Sequence, residues 1–313
     1  MNYLTRDGKT FDQSDPDEVI DFLKTRDRKQ FTLEPERLRI AVTGKELTLQ
    51  ISGGITREYP LRSSFFHKLL KWYSFPVSAV SRLNGETVAS ILNDHLLAIK
   101  GKNVIVTVED GDALTITSER YTELSDLTVI EYCHKLGIES ISRDDFVTRI
   151  YSVEKARLEP IVGDPCGFGY NVFNSETGFS PVSVSHYVLR YVCSNGAVAR
   201  LGDPRKEERI HYRISPSDLE LFLKQRVNHA EKSRDKLVRS LKKLPLIRAR
   251  KKYKLIKGHV RRIAGKEIAA EIGEQIGEET TMYDLFNLMT DHAKVLSISR
   301  KLQLESLAGE FLV

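Results

Sequence analysis

The spacing of apolar positions changes several times along the chain, and each change marks a new element. Asp15 before Pro16 is an N-cap signal, and a helix is predicted from Asp17 to about Arg26. From residue 37, "RLRIAVTGKELTLQISGGITREYPL" alternates apolar and polar positions around Thr43-Gly44-Lys45 and Gly53-Gly54, which predicts three antiparallel strands. Helical spacing returns in "SSFFHKLLKWYSF", with Ser63 or Ser64 as cap and Phe66, Leu69, Leu70 and Tyr73 on one side. One further helix is expected through "VSAVSRLNGETVASILNDHLLAI". The hairpin "NVIVTVEDGDALTIT" turns on Asp110-Gly111, and "LSDLTVIEYCHKLGI" closes this part as a helix near residue 138.

Between Asp144 and about Ser215 the pattern is that of strands. "DFVTRIYSV", "GFGYNVFN", "SPVSVSHYVLRYVC", "GAVARL" and "ERIHYRIS" are separated by Gly- and Pro-rich turns. Ser215 to Asp218 carries a capping signal, and everything beyond it reads as helix. Pro245 interrupts that helical run, and "TTMYDLF" starts a new helix. The expected class is α+β in three regions: a mixed N-terminal part (1–140), a central antiparallel β-meander (141–215) and a helical C-terminal third (216–313).

Composition adds little until charge is mapped. With 41% hydrophobic and 29% charged residues the chain has a soluble globular make-up. Cys133, Cys166 and Cys193 are odd in number, widely spaced and without a CxxC pair, which points to a reducing compartment. The N-terminus has no apolar run of the signal-peptide kind, and no window is long and apolar enough for a bilayer. A cytoplasmic protein that does not enter a membrane is expected. The net charge of +5 conceals a segregation: Lys224 to Arg262 holds 16 Lys/Arg and only Glu231 and Asp235, a local +14, which leaves −9 on the rest.

So many cations in one segment repel each other unless an anionic partner faces them. Nucleic acid is that partner most often, because Lys and Arg release its condensed counterions. The candidate contacts are Arg239, Lys242, Lys243, Arg248, Arg250, Lys251, Lys252, Lys254, Lys257, Arg261 and Arg262, with Tyr253 and His259 placed to stack on bases. A competing reading is a solvated helical face, with Leu237, Leu241 and Leu244 inward and the cations balanced by acidic surface of this chain or a neighbouring subunit. A membrane surface fits less well, since bulky aromatics on the apolar side are few.

The stretch 173–196, "FNSETGFSPVSVSHYVLRYVCSNG", combines two turn signals with a nearly continuous apolar run from Tyr187 to Cys193. His186 and Arg190 fall on one face of that strand. They could point into a groove, or sit at a sheet edge or against carboxylates. Cys193 reads as a small buried hydrophobe. Enzyme motifs are absent from the sequence. "GDPCGFGYN" lacks dinucleotide spacing, Gly265-Lys266 lacks the phosphate-loop context, and there is no HExxH or GxSxG. Cys133 and His134 face different ways on a helix. Asp144-Asp145 and the Glu109-to-Asp112 tip could offer carboxylates to Mg²⁺, although caps and hairpin tips use the same residues.

"NSETGFSPVSVSHYVLRYVCSNGAV" resembles the signature of a phage/plasmid-like family of bacterial proteins known as a domain of unknown function. In that family an N-S-x-x-G turn precedes a strand ending in R-x-V-C-x-N-G. The matching residues are Asn174, Ser175, Gly178, Arg190, Val192, Cys193, Asn195 and Gly196. "TMYDLFNLMTDHAK" and "LQLESLAGEFL" resemble the family's closing helices, so the resemblance spans about 140–313. It implies a mobile-element or prophage origin and assigns no catalytic residue. The β-β-β-α order over 37–74 is similar to the core of ring-forming single-strand annealing proteins, which implies a homo-oligomer with a basic groove. The expected function is binding of nucleic acid, first of all single-stranded DNA, in recombination or replication, with no cofactor. Two alternatives stay open: a metal-dependent nucleic-acid enzyme using Asp144, Asp145 and His186, and an anti-defence factor docking an acidic host protein.

Overall fold

The strands collect into three antiparallel sheets, and helices fill the faces those sheets leave apolar. The computed structural model describes residues 4–99, 101–153, 158–191, 195–199, 208–209 and 215–312. Strand β1 (Phe11–Ser14) leads into helix α1 (Pro16–Thr25), where the Asp15 carboxylate accepts from Asp17 N at 2.9 Å as expected. Next come β2 (Arg28–Leu33), β3 (Leu38–Thr43), β4 (Glu46–Ile51) and β5 (Arg57–Pro60). Helices α2 (Ser63–Trp72), α3 (Val77–Val80) and α4 (Gly85–Ala98) precede the hairpin β6 (Val104–Glu109) and β7 (Asp112–Ser118). Sheets β3-β4-β5 and β2-β6-β7 close with α2 and α4 around Leu47, Phe65, Leu69, Leu92 and Val106.

Three expectations change here. Arg62 rather than a serine is the N-cap of α2, because Ser64 Oγ donates to Leu114 O at 2.6 Å and Ser63 Oγ pairs with Thr5 Oγ1 at 2.9 Å. The single helix expected over 77–99 is two, since Asn84 accepts from Thr87 N at 2.8 Å and starts α4 afresh. Strand β2 went unrecognised in the sequence. It pairs with β6, yet only Leu33 of its residues is buried, so it carries no alternation to read.

After α5 (Asp126–His134) the large sheet runs through β8 (Ser140–Arg143), β9 (Thr148–Val153), β10 (Leu158–Ile161), β11 (Asp164–Asn174), β12 (Val182–Arg190), β13 (Asn195–Ala199) and β14 (Glu208–Arg209). Its order is β1-β8-β9-β11-β12-β13, with β10 also on β11 and β14 also on β12. The N-terminal strand β1 and helix α1 thus belong with this central layer and cross the division drawn at residue 140. Asn195 and Gly196 already pair with Arg190 and Leu189 inside β13, so they are not the turn expected there. The reversal itself, with Val192 and Cys193, lies outside the described residues, as do the end of "GAVARL" and most of "ERIHYRIS". Gly167 and Gly169 of "GDPCGFGYN" have a packing reason, since a Cβ would lie 2.4 Å from Val153 Cγ1 at the first and 1.9 Å from Ser152 O on the neighbouring strand at the second, whereas Gly163 sits in a turn with φ +80°.

Helix α6 (Pro216–Lys243) opens with the expected capping box between Ser215 and Asp218. It covers one face of the sheet through Leu219, Phe222, Leu223 and Val227, together with α1 and α5. A short 3-10 turn at Leu244–Leu246 holds Pro245 and ends the helix. Helices α7 (Arg250–Ala264), α8 (Lys266–Glu274), α9 (Met282–Ala293) and α10 (Ile298–Gly309) follow. Tyr253, Ile256 and Val260 of α7 pack with Leu285, Phe286, Met289 and Leu304, and with Phe168 and Val188 of the sheet. The opposite sheet face meets α10: Tyr151, Phe173 and Tyr187 surround Ile298.

Candidate nucleic-acid interface

The basic segment spans the second half of α6, the Pro245 turn and α7. Helical period decides which cations reach solvent, because the inward positions of α7 are Tyr253, Ile256, Val260 and Ala264. Arg239, Lys242, Lys243, Lys251, Lys254, Lys257, Arg261 and Arg262 are exposed and make no ion pair among the described residues. Arg248 and Arg250 are exposed too, but Arg248 pairs with Glu279 and Arg250 with Glu278 at 2.7 Å. Lys252 is half-buried, its Nζ 5.7 Å from the centre of the Phe311 ring. Tyr253 is buried, and its hydroxyl donates to Ala269 O, so it supports the helix pair α7–α8 and offers no face to a base. His259 remains exposed.

The signature residues have a different job. Asn174 to Gly178 form the turn after β11, and that turn is clamped between the central sheet and the N-terminal layer. Asn174 Nδ2 donates to Leu124 O at 2.9 Å and to Asp126 Oδ1 at 2.8 Å. Ser175 Oγ donates to Phe146 O at 2.7 Å and accepts from Phe179 N at 2.9 Å. Gly178 has φ +72°, and a Cβ there would meet Lys68 Nζ at 2.8 Å, so the turn needs glycine twice over. Lys68 Nζ in turn donates to Gly178 O at 2.6 Å.

Glu176, which the sequence did not single out, is the centre of this seam. Its carboxylate lies 2.8 Å from Arg26 Nη1, 3.0 Å from Arg28 Nη1 and 3.4 Å from Arg143 Nη2, and it accepts from Asp126 N at 2.6 Å. Glu109 pairs with Arg26 at 2.8 Å and Arg62 at 2.9 Å, and Asp126 pairs with Arg143 at 2.9 Å. Burial alone would raise the Glu176 carboxyl, but Arg28, Arg26 and Arg143 outweigh it and hold the group down at about 2. Asp126 goes the other way: burial raises it, and the Glu176 charge adds to the rise. Every arginine here has a carboxylate partner. These pairs stitch the two layers together.

The proposed metal carboxylates are engaged in the same way. Asp144 Oδ1 accepts from Phe146 N at 2.8 Å and Val147 N at 2.9 Å, a turn cap. Asp145 accepts from Gly8 N at 2.9 Å and pairs with Arg62 at 3.1 Å. Among the described residues no group of three or more His, Cys, Asp or Glu is arranged to hold a metal ion. Arg190 is buried against Asp164 at 2.7 Å, the carboxylate pairing that the sequence allowed, and His186 is buried with its ring 6.0 Å from that of His229. Cys133 is a buried thiol pushed up to about 12 by burial, whereas His134 beside it is exposed. No described helix is long and apolar enough to cross a membrane. No family model, curated protein or solved structure matches this chain.

Proposed function

We propose that the protein binds nucleic acid, single-stranded DNA first of all, through the exposed cations of α7 and the end of α6. A role in recombination or replication of a phage, plasmid or prophage, a homo-oligomeric state and a cytoplasmic location belong to the same proposal. One observation carries it. The apolar side of α7 is consumed by the C-terminal core, and on its outer side most cations lack an acidic partner among the described residues. Unbalanced, closely spaced positive charge on a rigid helix is what a phosphate backbone neutralises. Arg248 and Arg250 contribute least, being already paired with Glu279 and Glu278.

A second reading draws on Leu246 and Leu255, which are 83% and 80% exposed among those cations. Apolar side chains between charges also suit an acidic protein partner. Titrating labelled single strands and duplex at two salt concentrations separates the two. Phosphate contacts make log K fall with log[salt] by about 0.7 per contact for single strands and about 0.9 for duplex. Affinity for strands that does not weaken as salt rises overturns the nucleic-acid proposal. Partners captured equally with and without nuclease favour the second reading.

A further inference from the structure

Two cavities share a wall made by Leu302 and Gln303 of α10. The first, about 460 Å³, opens beside the basic helix, where His259, Arg262 and Ile263 of α7 line it. The second, about 320 Å³, continues past Leu302 to Phe146 and Phe179. Those two rings meet edge to face at 5.0 Å, and the His67 ring stands 5.3 Å from Phe146. Lys68 Nζ and Lys71 Nζ sit 5.0 Å and 5.4 Å from the centre of the Phe179 ring. Ser180 Oγ, buried at this cavity, has no hydrogen-bond partner among the described residues.

These features sort by chemistry. Aromatic rings with an open cavity beside them accept a flat π-system. A buried hydroxyl without a partner can donate to or accept from that ring's polar edge. Arg262 supplies positive charge at one end of the path, beside Glu310, and Lys68 and Lys71 supply it at the other, where they donate to Gly178 O at 2.6 Å and Phe179 O at 3.2 Å. A nucleobase joined to its phosphate needs all three, and a cavity of this size is at the small end of ligand sites. An apolar peptide side chain would leave the hydroxyl unanswered.

We infer that the Phe146–Phe179 cavity holds one unpaired nucleobase of a strand whose phosphates run from α7 along α10. The inference rests on the nucleic-acid reading above and narrows it, since a base inside a duplex cannot reach the cavity unless it leaves the stack. Phe179 is the stacking residue, Ser180 the group that meets the base edge, and Lys68 and Lys71 the phosphate side of the site. Burial, with the Lys71 charge adding to it, holds the Lys68 ammonium down at about 8, so an anionic phosphate beside it restores what burial removes.

The test compares two short oligonucleotides of equal length, one of thymidines and one in which every base is replaced by an abasic spacer. They are titrated against the wild-type chain and Phe179→Leu, with thermal unfolding recorded for each protein. Stacking on one platform is worth roughly a 5- to 100-fold preference for the base-bearing strand. Phe179→Leu should abolish most of that preference while the salt slope stays the same, and 2-aminopurine in the strand should be quenched by the wild type only. Should Phe179→Leu fail to fold, Gln303→Trp narrows the shared wall from an exposed position, and it should lower the preference likewise. Equal, salt-dependent binding of both oligonucleotides by the wild type overturns the inference and leaves the nucleic-acid reading standing. Absence of salt-dependent binding overturns both.

Discussion

Replacing Glu176 by Gln should be among the most damaging single changes that leave shape and volume intact. The substitution removes one buried negative charge that serves Arg26, Arg28 and Arg143. Two routes give its size. The carboxyl lies near 2 in the folded chain against an ordinary 4.5, and each tenfold change in proton affinity corresponds to about 1.4 kcal/mol, hence about 3 kcal/mol of stability at neutral pH. Breaking a buried ion pair by deleting one partner costs about 3–5 kcal/mol. Some of this returns, because Arg26 keeps Glu109, Arg28 keeps Glu123, and Asp126 is relieved of a like charge. A net loss of about 2–4 kcal/mol is expected, a fall in Tm of roughly 5–10 °C for a chain of this size. Since the folded carboxyl is depressed, its contribution is complete above the unfolded value near 4.5 and disappears as pH falls toward 2. Urea unfolding followed by circular dichroism should therefore show wild type and variant far apart at pH 7 and converging between pH 4.5 and pH 2. A difference below about 1 kcal/mol at pH 7, or a gap that persists at pH 2, refutes the assignment of Glu176 as the centre of the seam.

Three other outcomes follow from the same geometry. Arg149 is completely buried among Tyr151, Phe173 and Tyr187, with Glu305 of α10 at 2.5 Å; Glu305→Gln should cost about 3–5 kcal/mol, and Arg149→Met with Glu305→Leu should recover most of it in the same urea assay. Converting Lys251, Lys254 and Lys257 together to Ala, all exposed and without an ion pair among the described residues, should lower strand affinity at least ~100-fold at moderate salt, reduce the salt slope by about 2 and leave Tm unchanged; normal binding by that variant would mean the cations meet protein instead. Lys68 Nζ should titrate near 8 by NMR of labelled lysine, and an ordinary value above 10 would show that it is not buried against Phe179 and Gly178.

The elements legible in the sequence are those whose cause is local. Asp110 and Gly111 both adopt positive φ, 52° and 86°, as an Asp-Gly hairpin turn requires, and the reading of β6–β7 needed nothing else. The same is true of the Asp15 cap, the Ser215 capping box and the stop at Pro245, where cause and effect lie within a few neighbouring residues. The position and charge of the basic segment were equally visible. Its division of labour was not: helical period and the core below α7 turn Tyr253 inward, and Glu278 and Glu279 neutralise Arg250 and Arg248 from a loop that follows α8. Strands β1, β2, β8 and β10 escaped; β2 is mostly out of the core, and β8 buries Ser142 and Arg143 beside Ile141, so neither of these two alternates. Glu176 escaped for a stronger reason. In "NSETG" it reads as an ordinary turn residue, and its partners Arg26, Arg28 and Arg143 come from positions up to 150 residues away. Turn and cap chemistry acts between neighbours and is written in neighbouring letters. A buried carboxylate is tolerated only where several distant guanidinium groups converge on it, and that convergence exists only once the sheets have packed.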